Sequence, residues 1–594
     1  MKKTIYNGQV ILYVVILLIT SCDDSFLDVV PKTEYSDELV WSDPALIQTF
    51  LNNMYRNMHD PLAQRPTAVF TDEAHRSGHA DSKYYNASLM TADRLPGWDH
   101  DRGRYLIRWQ PLYEQVRRAN VFFQNIDKAD FKEQEDLKEI MIGEVYFLRA
   151  YAYFFLARQW GGVPILEEPL GLGDNFEIPR NTFEEVIEFI VNDLDKASEI
   201  LPIYGFGDDL CRPSKGAALA LKSRVLLTAA SDLFNTIVFP DYPHPELIGY
   251  TDKSEASRRL RWQRARDAAK DVMDLNAYTF YQGANDSATL NFVAYHTSVI
   301  SRGEDIMNRY MNYIGGYFNN YAYWSVGQSW GGQQNIFGIG NWVDAVEMRD
   351  GTKFDWNNPV HAASPYINRD PRFYAFMRYE GAYFRERPQE LRSFDPLGRM
   401  QEGIYEVWDE STNTVKLEYG LDYNARGTGY RARKYLDPSY EHGIEFQPVT
   451  FRYFRFTEIL FNYAEACIEL EEYDLARQYL NMIRRRADMP DITDSGDDLR
   501  KRFRNEKKIE MFLEDQRYFD IRRWVIAHIH HTPTEVVDVR YKLLPDKTTS
   551  TIPLITPRQK TESPKRAWLN KAYFLPIKNY EIYRNPALIQ NPGY

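Results

Sequence analysis

Apolar positions recur at helical spacing through the first half of the chain. Between residues 105 and 127 they fall near i, i+3, i+4 and i+7, at Leu112, Val116, Ala119, Phe122 and Phe123, which predicts an amphipathic helix. Residues 140 to 159 repeat the pattern with Val145, Leu148, Ala152, Phe155 and Leu156, and stop at Gly161-Gly162 and Pro164. Asn181 is a candidate N-cap for the stretch ending at Leu201-Pro202. Ser214 caps an Ala- and Leu-rich helix running to about Phe234, and residues 262 to 275 read as another. From about 280 to 445 the period is lost. Gly, Asn, Tyr and Trp crowd this segment, which predicts long loops with a few short strands; loops of that size tend to carry function. Helical spacing returns at 456 to 469, 475 to 486 and 505 to 524.

The pair 459 to 470 and 473 to 487 has the form of a tetratricopeptide hairpin, with Ala464, Ala466 and Ala476 permitting close helix contact. With the paired helices at 105 to 159 and 181 to 234, this predicts a mainly α fold. It is a tetratricopeptide-like helical scaffold with a large loop-rich insert carrying a few short strands. Regions 22–280 and 281–594 are expected to form one compact body.

Residues 1–21 read as a leader. Lys2 and Lys3 precede an uncharged apolar run from Val10 to Ile19, and small residues stand ahead of Cys22, as in a secretory signal peptide. The run is about half the ~20 residues that a spanning helix needs. A cysteine directly after the cut resembles a bacterial lipobox, in which the thiol is acylated. Asp23 and Asp24 resemble the surface-export signal of Bacteroidetes lipoproteins. The expectation is an exported protein, tethered by lipid at Cys22 to the outer membrane and facing outward.

The net charge of −12 argues against a nucleic-acid partner, which needs a clustered positive field. The basic runs at Arg484-Arg485-Arg486 and Lys501-Arg502 read as solvated helix faces. Beyond Cys22 only Cys211 and Cys467 remain, so the core and not disulfides must hold the fold; Cys467 reads as a small core residue. No CxxC or HExxH spacing appears, and no metal or cofactor is predicted. His75 and His79 are four apart, but Gly78 lies between them and they read as structural. Glu506, Glu510, Glu514 and Arg517 share one predicted helix face. Such a stripe suits ion pairs fixing the helix better than the opposed carboxyls of a glycosidase.

The 42 Tyr, 33 Phe and 12 Trp exceed what a core alone requires, and Tyr and Trp suit exposed recognition surfaces. Residues 317 to 342 hold Tyr317, Tyr321, Tyr323, Trp324 and Trp330 without period, interleaved with Gln328, Gln333 and glycines. This is a candidate surface for stacking sugar rings. A second cluster comprises Asp72, Glu73 and Arg76, then Trp98 with Asp99 and Arg102.

Six scattered segments resemble one family, the SusD/RagB-type outer-membrane glycan-binding lipoproteins. They are Phe26-Leu27-Asp28 with Pro31; Arg149-Ala150-Tyr151 through Trp160-Gly161-Gly162-Val163-Pro164; Arg369-Asp370-Pro371-Arg372-Phe373; Arg455-Phe456-Thr457-Glu458-Ile459-Leu460; Glu506 and Glu510 through Arg523-Trp524; and Leu575-Pro576-Ile577 through Asn591-Pro592-Gly593-Tyr594. The resemblance implies a ligand site in the loop-rich part, a TonB-dependent transporter as partner, and no catalysis. Asp72, Arg76 and Trp98 are carried over as pocket residues by this resemblance; Tyr317, Tyr321, Trp324 and Trp330 complete the expected carbohydrate site. The expected function is non-catalytic capture of an oligosaccharide or polysaccharide and its delivery to the transporter. A peptide-capturing member of the family and a surface glycosidase are the alternatives.

Overall fold

The computed structural model describes residues 37–59, 62, 66–76, 84–94, 108–132, 134–205, 209–311, 321–333, 335–440 and 447–594. The chain opens with α1 (Asp37–Ser42) and α2 (Pro44–Tyr55), then β1 (Ala74–Arg76). A row of helices follows: α3 (Trp109–Asn125), α4 (Glu135–Trp160), α5 (Phe183–Ile200), α6 (Lys215–Ala230) and α7 (Glu255–Asp274). Each packs on the one before it. By length and composition α4 could cross a membrane, but 83% of its apolar window is buried inside the protein, so it is the central core helix. It ends where the sequence places the stop. Gly161 adopts φ +81, and a Cβ there would sit 2.2 Å from the Leu247 carbonyl oxygen, so glycine alone fits.

The predicted cap of α5 is displaced by one residue. Thr182 closes a capping box with Glu185, while the Asn181 side chain accepts from the Ile165 N–H at 2.9 Å. The helix expected to reach Phe234 stops at Ala230, where the chain turns at Ser231 into the short helix Asp232–Asn235.

The insert leaves the row after α7. It contains α8 (Ala288–Thr297), β2 (Asp305–Met311), α9 (Tyr321–Ser325), β3 (Ile336–Gly338), α10 (Pro371–Phe376) and the hairpin β4 (Ile404–Asp409) and β5 (Thr414–Tyr419). It is thus richer in helix than the sequence predicts, because its helices are too short for a 3.6-residue period to register. The insert closes at β6 (Val449–Arg455), which pairs antiparallel with β2 from Asp305↔Arg455 to Met311↔Val449. Its beginning and end therefore share a two-stranded neck.

Next, α11 (Phe456–Glu469) packs back onto α7, and α12 (Tyr473–Arg486) packs on α11, so the row resumes as though uninterrupted. The continuous helix expected at 505 to 524 is two helices, α13 (Gly496–Glu510) and α14 (Arg517–Arg523). Between them Leu513 and Asp515 adopt positive φ, and the Asp515 carboxylate accepts from the Thr67 N–H at 3.3 Å and lies 3.1 Å from His59. Tertiary partners break the helix where its local pattern would continue it. Strands β7 (Glu535–Tyr541) and β8 (Leu554–Gln559) complete a four-stranded sheet in the order β8-β7-β4-β5, joining the C-terminal region to the insert. The last helix is α15 (Asn579–Arg584).

Candidate binding site

Two segments singled out in the sequence, 72–76 and 321–338, are brought together although some 260 residues separate them. β1 and β3 pair antiparallel with Ala74↔Gly338, His75↔Phe337 and Arg76↔Ile336. Beside this pair, α9 presents two adjacent aromatic rings. Tyr323 and Trp324 are half-buried, their centroids 5.6 Å apart and nearly perpendicular. The chain then turns tightly through Gly327–Gly332 and returns along the same rings. A Cβ on Gly332 would stand 2.3 Å from the Val326 carbonyl oxygen, so this turn admits only glycine. The return places the exposed Gln333 against Tyr323: its backbone N–H donates to the Tyr323 carbonyl and its side-chain amide to the Tyr323 hydroxyl, both at 2.8 Å. Asn335 N–H donates to the Trp324 carbonyl at 2.9 Å. Two aromatic faces with an amide at their edge match the alternation of C–H faces and hydroxyls on a sugar ring.

A family model described as "SusD family" matches residues 298–594, and a second, described as "Starch-binding associating with outer membrane", matches residues 25–227. The chain belongs to the SusD family. That family associates with the outer membrane and binds nutrient glycans. A SusD-like protein of known structure from Bacteroides fragilis is 26% identical and superposes with a TM-score of 0.72 over 94% of this chain and 99% of its own. A SusD-like carbohydrate-binding protein from the same species, 21% identical with a TM-score of 0.66 over 92% and 99%, shares the fold. SusD-like protein P25 of Formosa agariphila is 24% identical over 437 residues, 70% of each chain. A SusD-like protein of Bacteroides ovatus is 28% identical over 214 residues, which span 36% of this chain and 37% of that relative. The expected mainly α, tetratricopeptide-like fold of the family is the one observed.

Three of the six SusD-type segments, at 369–373, 455–460 and 506–524, meet in one buried charge network. Arg372 reaches Asp370 (2.7 Å), Glu506 (2.6 Å) and Glu510 (3.1 Å). Arg455 pairs with Glu304 (2.9 Å), Glu510 (3.1 Å) and Glu514 (2.7 Å). Arg484 joins Glu347 (3.0 Å) and Glu506 (2.7 Å), Arg486 joins Glu304 and Glu510, and Lys434 reaches Glu514 at 2.5 Å. Burial alone would raise the Glu510 carboxyl; Arg486, Arg455 and Arg372 override it and hold it well below the usual carboxylate range. Burial likewise works against Glu304, but Arg486 and Arg455 bring it down to about 2. The acidic stripe is therefore structural, as its spacing suggests. The basic run beside it is not the solvated face expected: Arg484 is 2% exposed and Arg486 points into the network, leaving Arg485 outside. Arg–carboxylate forks close this network more readily than water would serve three adjacent guanidiniums.

Four of the proposed sugar contacts lie in the interior. Asp72 is 3% exposed, and its carboxylate receives Arg517 through two nitrogens at 2.9 Å, Lys508 at 2.9 Å and His530 at 3.2 Å. Burial opposes its ionisation, yet Arg517 and Lys508 keep it well below the usual range, whereas burial pushes neighbouring Glu73 well above it. Arg76 is 4% exposed. Tyr321 is 1% exposed and meets Tyr435 edge-on at 5.8 Å. Trp330 is covered by the Arg387 guanidinium, 3.5 Å from its ring centroid, and by Phe384. Only Trp324 reaches the surface; Trp98, Tyr317, His79 and Cys22 lie outside the described residues. His75 pairs with Glu562 at 3.4 Å, and no group of three or more metal-ligating side chains occurs among the described residues. Tyr323 and Gln333 were visible in sequence as members of an aromatic, amide-rich run. Nothing in the pattern separates them from Tyr321 and Trp330, because the distinction arises only when α9 and the glycine turn set which side chains face inward.

Proposed function

We propose that the protein is a non-catalytic surface receptor that captures an oligosaccharide and passes it to a TonB-dependent transporter of the outer membrane. Lipid at Cys22 tethers it on the outer face of that membrane. The Tyr323–Trp324 pair with Gln333 carries this reading, together with membership of a glycan-binding family. Trp324 and Tyr323 stack on sugar rings, and Gln333 and Gln328 serve hydroxyls. Trp98 and Tyr317 remain further candidate ring contacts of this reading. Asp72, Arg76, Tyr321 and Trp330 hold it in place from beneath.

Glycan-array screening of the chain lacking residues 1–21, followed by calorimetric titration of the glycan it selects, tests this. Trp324→Ala weakens binding by about tenfold or more, the loss of a ~1.4 kcal/mol contact, without lowering the melting temperature. Affinity unchanged in both Trp324→Ala and Tyr323→Ala overturns the site. Release of reducing ends from the selected glycan overturns the non-catalytic reading. Cys22→Ser is expected to move the full-length protein from the membrane to the soluble fraction.

A further inference from the structure

A second recess lies in a part of the fold that shares no residue with Tyr323, Trp324 or Gln333. Its volume is about 560 Å³, within the range of small-molecule sites. One wall is the first half of α3, another the loop running from Pro164 to Ile178, and the third α15. Aromatic surface comes from Trp109, Tyr113 and the exposed Phe176, with Trp109 and Tyr113 centroids 5.1 Å apart. The charges around it are balanced: Glu114 and Glu581 against Arg117 and Arg584.

The loop wall is fixed in place by the other two. Tyr113 donates its hydroxyl to the Pro164 carbonyl at 2.9 Å, Arg117 donates to the Leu170 carbonyl, and Asn585 of the α15 side donates its amide to the Ile178 carbonyl at 2.8 Å. Asn120 holds the Leu166 carbonyl at 2.8 Å. These bonds make the recess preformed, so little ordering opposes binding. They also occupy the carbonyls through which an added peptide strand would pair. Balanced charge disfavours an anionic ligand, and an apolar aromatic floor rimmed by both carboxylate and guanidinium suits a neutral, hydroxyl-rich ring.

We propose that this recess is a second carbohydrate site, taking a short neutral oligosaccharide or a distant stretch of the same chain held at Trp324. It rests on the glycan-binding reading but not on the Trp324 site. Two contacts from one polymer would raise avidity without any change in either site. The test is an array of immobilised neutral oligosaccharides of the common linkages, with sulfated counterparts and an apolar peptide set. Wild type, Trp324→Ala and the double variant Phe176→Ala/Arg584→Ala are probed on it. Phe176 and Arg584 are exposed, so the double variant is expected to melt as wild type; Phe176→Ala alone is the second variant should it not. The expected result is a set of neutral glycans whose binding falls at least tenfold in the double variant and persists in Trp324→Ala. If every glycan signal disappears in Trp324→Ala and none changes in the double variant, the second site is overturned while capture at Trp324 stands. If only peptides respond to the double variant, the recess is a protein-docking site and the proposal fails. Absence of any glycan signal with wild type overturns both readings.

Discussion

At the scale of single residues, burial separates side chains that look equivalent in sequence. Trp324 and Trp330 sit six positions apart in one aromatic run, yet one reaches the surface and the other is 3% exposed beneath Arg387. Trp330→Ala is expected to cost about 3–5 kcal/mol of stability, seen as a lowered denaturation midpoint, because it opens a large cavity in the core. Trp324→Ala should leave that midpoint nearly unchanged. A reversed pattern would show that Trp324, and not Trp330, is the ring packed into the core. Glu380 gives a second residue-level expectation. Buried and accepting from the Tyr541 hydroxyl at 2.8 Å and the Glu402 N–H at 2.6 Å, it is pushed up to about 7 by burial from an ordinary 4.5. Between these values the folded state keeps a proton that the unfolded chain releases. Its contribution is therefore complete below about pH 4.5 and is lost as pH rises through 7, a change of about 3 kcal/mol. Denaturant titrations at pH 5 and pH 8 should show this slope in the wild type and a flatter one in Glu380→Gln.

At the scale of elements, α13 acts as the anchor to which separate parts of the chain are tied. Glu506 and Glu510 lie one turn apart and together meet Arg372 from the insert, Arg455 from β6, and Arg484 and Arg486 from α12. Removing one member leaves charges buried without a match, so Glu510→Gln is expected to cost about 3–5 kcal/mol. Because Glu510 and Glu304 titrate below the ordinary carboxylate range, their stabilisation is present above about pH 4.5 and lost as pH falls towards 2. Acid unfolding of Glu510→Gln should accordingly be shallower than that of wild type. The cap of α5 is a smaller device: Thr182→Ala should cost about 1 kcal/mol by calorimetry, while Asn181→Ala acts on the Ile165 turn instead.

For the whole molecule, the insert is joined to the rest of the chain at three places. These are the β2–β6 neck, the β4–β7 pairing within the four-stranded sheet, and the charge network. One cooperative unfolding transition is the expected behaviour of such a body. Arg372→Ala should loosen the insert selectively, so that limited proteolysis cuts first between residues 281 and 445 while the helical row persists. Cleavage beginning instead in the row would show that the network does not hold the insert. The same ties position the half-exposed rings of α9 on a rigid base, which lowers the ordering cost of stacking a ligand there.

The long helices, their order and the family were legible in the sequence. Helices of fourteen to twenty-six residues such as α4, α6 and α11 carry enough turns for their apolar stripe to be read, and Ser214 and Gly161 mark ends through local backbone chemistry. It also showed that the acidic stripe at 506 to 514 was made for ion pairs. The break between α13 and α14, the burial of Arg484 and Arg486, and the division of aromatics into core and surface were not legible there and emerge from the fold. These outcomes depend on partners tens to hundreds of residues away along the chain. Asp515 is fixed by Thr67 and His59, Asp72 by Arg517, and Trp330 by Arg387, and no local pattern encodes such pairs.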